Sequence, residues 1–163
     1  MNYQTFISIF KKQAYSLPHG KSLDFALEIS KELLSDYVIF YQVHDWGDPK
    51  LLKNAILLCE RSKVSPVDKA EIAEMAIKVE EVTPHMDDYG DLFASYALNA
   101  CGAIYYSLQF LIDNDASHIY NVGICYTDTV DIKVQGEDTL TDDQIASHPD
   151  MIKAWNFIID QTK

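Results

Sequence analysis

The feature that most constrains this chain is the return of apolar side chains every three or four residues, in blocks separated by proline, glycine and short acidic turns. Only a helix gathers such residues on one face, so the spacing predicts an all-α fold. A chain of 163 residues is long enough to enclose one core, and the expectation is one compact domain, 1–163, built as a bundle of about six to seven helices.

The blocks are individually readable. Tyr3, Phe6, Ile7, Phe10 and Ala14 give a first helix that Pro18 and Gly20 end. Ser22 then suits an N-cap for a longer helix to about Gln42, with Leu23, Leu27, Leu34, Tyr37, Val38 and Tyr41 on one stripe. Gly47 breaks it, Asp48 caps the next, Pro49 takes its first position, and Leu51, Leu52, Ala55, Leu58 and Cys59 form its apolar face. Ser65–Pro66 repeats the device ahead of Val67, Ala70, Ala73 and Ile77, and Thr83–Pro84 stops that helix. From Leu92 to Ile112 the chain is apolar all round, which predicts a central, buried helix. Thr141 with Gln144 reads as a capping box, and Met151, Ile152, Trp155, Ile158 and Ile159 make a last helix.

One segment resists the pattern. From Ser117 to Gly136 the residues Ile119, Val122, Ile124, Thr127, Thr129, Val130, Ile132 and Val134 are β-branched and partly alternating, as in a hairpin. Ile119, Val122, Tyr126 and Val130 also stand at helical spacing, so the residues leave helix and hairpin open.

Charge narrows the function classes. With 25 Asp and Glu against 13 Lys and Arg the formal net charge is −12, a field that repels phosphate backbones and anionic lipid. Neither nucleic acid nor a membrane surface is expected as a partner, whereas a basic protein would be steered toward this chain. No run of about 18 apolar residues spans a bilayer, and Met1 to Thr5 enters an amphipathic pattern with no signal-peptide features. Cys59, Cys101 and Cys125 show no CxxC or zinc spacing and read as buried, reduced thiols, so a cytoplasmic setting is expected.

Catalytic signatures do not stand out. Cys101 lies in the apolar block without a histidine at i±3 or i±4, and no Walker loop, G-x-S-x-G or G-x-G-x-x-G occurs. Asp113-Asn114-Asp115 begins like an EF-hand but has His118 where the loop needs glycine. No catalytic residue, cofactor or metal site is therefore assigned. Asp87 and Asp88 are expected to cap the central helix, and Trp46-Gly47-Asp48 to form a helix-to-helix turn. An aromatic beside carboxylates is also how contact surfaces are built, so Trp46, Asp48, Asp87, Asp88, Tyr89 and Asp91 form the candidate interaction surface.

Three segments carry a resemblance: Phe40-Tyr41-Gln42 with Trp46-Gly47-Asp48; Pro84 with Asp87-Asp88-Tyr89 and Ala97 to Cys101; and Leu140 to Ile145 with His148-Pro149 and Trp155. Together they resemble the YjaG-like family of uncharacterised bacterial proteins, a domain of unknown function (DUF416). The resemblance implies an all-helical fold and tips 117–136 toward helix. It implies no chemistry, and where the family pattern has an acidic residue before Ala100–Cys101 this chain has Asn99.

The expected function is a non-enzymatic interaction module, in its most specific form an immunity protein that neutralises a basic toxin. Two other classes stand beside it: a ligand- or divalent-metal-binding helical enzyme using Asp48, Asp87, Asp88 and Asp91 at the bundle mouth, and a homo-oligomeric structural domain.

Overall fold

The computed structural model describes residues 1–163 and contains eight α-helices, one 3-10 turn and no strand. In chain order these are α1 (Tyr3–Ala14), α2 (His19–His44), α3 (Pro49–Ser62), α4 (Lys69–Glu81), the turn Met86–Asp88, α5 (Leu92–Asp113), α6 (Ala116–Gln135), α7 (Asp142–Ser147) and α8 (Pro149–Gln161). No helix is long and apolar enough to cross a membrane.

Helix α5 is the axis, packed against α2, α4 and α6. Ala94, Ala97, Ala100, Cys101 and Ala103 are all buried on it, and such small side chains let neighbouring helices approach closely. Where α2 crosses it, the Ser30 and Ser107 hydroxyls meet at 3.3 Å, and Ser107 also donates to the Ala103 carbonyl. Two buried polar groups are thereby satisfied at the centre of the apolar contact. A single cluster of 33 buried residues runs through the bundle. At one edge it is a row of rings, Trp155 on Phe6 at 5.4 Å, Phe6 on Phe10 at 5.7 Å and Phe10 against Phe25 at 6.1 Å.

The segment 117–136 is helical. Its β-branched residues are accommodated because Ile119, Val122, Thr127 and Thr129 are buried, and the threonine hydroxyls turn back onto the carbonyls of Ile124 and Cys125. Packing on both sides thus overrides a β preference that is itself largely a statement about burial. Lys133 fixes the far end of α6, donating at 2.8 Å to each oxygen of Asp36 on α2 while lying 5.2 Å from the Tyr96 ring centroid.

Several boundaries differ from the sequence expectation. Ser22 does not cap α2: the helix starts at His19 behind an extended Pro18, and Ser22 is a buried residue of its first turns whose N–H donates to the Pro18 carbonyl. Helix α4 is capped by Asp68, not by Ser65, because Pro66 and Val67 precede the first turn. Its buried face is Ile72, Ala76 and Val79; Ala70, Ala73 and Ile77 are exposed. With alanine on several sides of α4, periodicity alone offers more than one stripe, and the contact with α5 selects among them. The Thr141–Gln144 capping box is present, but it opens the separate six-residue α7; His148 and Pro149 then start α8, which brings the count to eight helices where six to seven were expected.

Candidate functional site: the corner between α2, α3 and α5

The corner is built on Tyr37. This fully buried phenol donates to the Val82 carbonyl at 2.7 Å and accepts from the Asp48 N–H at 3.1 Å, tying the α2–α3 turn to the end of α4. Burial pushes its pKa well above the ordinary phenol range, so it holds its proton and remains a donor. Above it the chain turns sharply. Asp45 adopts the left-handed conformation (φ 49°) and donates its N–H to the Tyr41 carbonyl, which ends α2, and Gly47 follows at φ 107°. Asp48 then accepts from the Leu51 N–H at 2.9 Å and begins α3.

On this frame sits an aromatic cluster. Phe40 is fully buried, with the rings of His44, Tyr89 and Trp46 around it at 4.9, 5.0 and 6.1 Å, and Tyr89 also faces His44 at 4.7 Å, edge to face. His44 Nε2 lies 2.7 Å from Asp91 Oδ2, while the other Asp91 oxygen accepts from the Ala94 N–H at 3.2 Å. One carboxylate therefore caps α5 and grips the last residue of α2. Trp46 is 37% exposed, so the cluster is rooted in the core and open at its tip.

The six residues singled out in the sequence are distributed as follows. Trp46, Tyr89 and Asp91 share the cluster and its rim, and Asp48 forms the neighbouring cap. Asp87 and Asp88 lie exposed in the 3-10 turn and do not cap the central helix; Asp91 does, because Tyr89 and Gly90 intervene before its first turn. Asp48, Asp87, Asp88 and Asp91 do not come together as a metal-holding group, since Asp48 and Asp91 direct oxygens at helix N–H groups and Asp91 at His44. No ion pair within the chain uses Asp45, Asp48, Asp87 or Asp88. Sequence reasoning missed Tyr37, Phe40 and His44 as members; their i, i+3, i+7 spacing on α2, just before the Trp46 turn, was the available signal.

A second concavity, of about 430 Å³, opens between the N-terminus of α1, the C-terminal half of α6, α7 and α8. Asp128, Asp131, Asp142 and Asp143 line it together with Tyr3 and Trp155, and no Lys, Arg or His does. The three cysteines lie elsewhere, buried, with burial pushing each thiol up to about 12, far from the range in which a thiolate attacks.

Fold and corner together define a class: a strongly acidic helical bundle with a preorganised aromatic and carboxylate corner. The chain belongs to the family described as "Protein of unknown function (DUF416)", which matches residues 9–161. A DUF416 family protein from Shewanella baltica OS155 has the same fold, with a TM-score of 0.80 and 23% identity, covering 91% of this chain and 81% of that one. Comparison with curated proteins gives no match.

Proposed function

We propose that the protein acts by binding another protein, and that the Trp46 corner is its contact surface for a basic partner. The observation that carries this reading is the placement of Trp46. Its indole is held on Phe40 and Tyr89 above a turn locked by Tyr37, yet the residue is 37% exposed, and Asp45 and Asp48, which flank it in the chain, form no ion pair within the protein. A rigid aromatic with unpaired charges around it loses little entropy on docking and steers an oppositely charged surface onto itself. The net charge of −12 extends that steering over the whole molecule. In its most specific form the partner is a basic toxin and this chain its immunity protein.

The test is capture from lysate of the source organism on immobilised protein, comparing the native chain with Trp46→Ala and with Asp87→Asn/Asp88→Asn. A basic protein retained by the native chain, released by salt and lost from both variants supports the reading. Retention indifferent to salt or to both variants rejects it.

A further inference from the structure

We propose that the cleft between α1, α6, α7 and α8 is a second site, and that it takes a lysine or arginine residue of a peptide chain. Three demands converge there. The first is for positive charge: Asp128, Asp131, Asp142 and Asp143 share the cleft, none forms an ion pair within the chain, and the one side-chain bond among them is from Gln135 Nε2 to Asp131. The Asp128 carboxyl, on a residue that still meets solvent, is held above its ordinary pKa first by desolvation and then by Asp131. A cation seated between them would cancel the repulsion from Asp131 and offset the lost hydration by direct attraction.

The second demand is for a hydrogen-bond acceptor. Trp155 is 1% exposed and forms part of the cleft wall, and its Nε1–H has no partner in the protein. Buried indole N–H groups are ordinarily satisfied, and an unmet buried donor costs about 1–3 kcal/mol. The third demand is for a methylene stem, since Ile145, Ala146 and Met151 supply apolar wall between these groups.

A basic residue within a peptide meets all three, with its cationic head on the aspartates, its stem along the apolar wall and a backbone carbonyl on the indole. The cleft's volume is at the lower end of small-ligand sites, adequate for one such residue. A bare metal ion offers neither stem nor acceptor, a polyamine lacks the acceptor, and a free amino acid would bring its own carboxylate against four others. The indole nitrogen is shielded from solvent, so the occupant reaches it as α7 gives way. That helix has no fully buried residue, and its main packing is against α6 and α8.

The site shares no residue with the Trp46 corner, and its test needs no partner protein. In ¹H–¹⁵N spectra of the full chain, Trp46→Phe assigns the two indole N–H signals. Titration with N-acetyl-Gly-Arg-Gly-amide should move the Trp155 signal downfield and saturably while the Trp46 signal stays in place. The neutral citrulline peptide should bind about tenfold more weakly or less, and so should the arginine peptide to Asp128→Asn/Asp131→Asn or to Asp142→Asn/Asp143→Asn, since losing a charged hydrogen-bond partner weakens binding by at least about that factor. A stationary Trp155 signal, equal affinity for the citrulline peptide, or an equal shift from spermidine overturns the proposal. Any of these leaves the corner reading standing, and failure of lysate capture leaves this one standing.

Discussion

A Cβ atom placed on Gly47 would lie 2.2 Å from the Tyr37 hydroxyl oxygen and 3.0 Å from the ring carbon that bears it. The two residues are therefore matched: the hydroxyl that bonds Val82 and Asp48 occupies the space a side chain at 47 would need. Gly47→Ala is predicted to destabilise the protein by about 2–4 kcal/mol, because the φ of 107° is strained for alanine and the contact overpacks. In a Tyr37→Phe background, which itself costs about 1–3 kcal/mol by orphaning the Asp48 N–H and leaving the Val82 carbonyl only the weak Cys101 thiol donor, the added cost should shrink. Urea unfolding of the four proteins gives the cycle; full additivity would disprove the coupling.

Gly123 on α6 is the seat of α1. A Cβ there would stand 2.3 Å from Phe10 Cζ, and Phe10 is fully buried. Gly123→Ala is predicted to cost about 1–3 kcal/mol by overpacking, even though alanine favours the helix by up to about 1 kcal/mol. A thermal melt that rises instead of falling would show that α1 is free to shift.

The cysteines offer a direct test of burial. Because each thiol is pushed up to about 12, an alkylating reagent near pH 8 should leave Cys59, Cys101 and Cys125 unmodified in the folded protein and label all three in guanidinium. Intact-mass spectrometry reads the outcome, and rapid labelling of any one under native conditions contradicts its placement.

Stability should also carry the signature of Asp128. Its folded pKa is raised above the ordinary 3.8 by desolvation and by Asp131, so the folded state binds this proton more tightly than the unfolded state does. Its favourable contribution is fully present below 3.8 and is lost as pH rises through the folded value. Asp128→Asn is thus predicted to raise stability at about pH 7, by less than about 1 kcal/mol because solvent screens the site, and to leave it unchanged near pH 3. Urea midpoints at the two pH values decide; a loss at neutral pH would mean that the carboxylate makes a favourable contact when ionised.

How much of this was legible depended on whether local chemistry or tertiary contact made the choice. Asp48 with Pro49, the Thr141–Gln144 box and the apolar block from Leu92 were all readable, because each acts on its own backbone neighbourhood. The face of α4 and the helicity of 117–136 were not readable from the residues, since α4 carries competing apolar stripes and valine, isoleucine and threonine mark burial as much as strand. The resemblance, not the periodicity, pointed α6 toward helix. At the corner, Trp46 and Asp91 were found by their chemistry, whereas Tyr37 acts across 45 residues of sequence on Val82. The cleft was invisible for the same reason: Asp128 and Asp131 face Asp142 and Asp143 only once α7 folds back against α6.

The two tryptophans occupy opposite environments, Trp155 sealed among Phe6, Tyr3 and the core and Trp46 open at the corner. Fluorescence from the molecule is therefore a sum of a blue-shifted emitter that iodide cannot quench and a red-shifted one that it can. Collisional quenching alone thus separates events at the corner from loosening of the interior, in the native chain and without an attached dye.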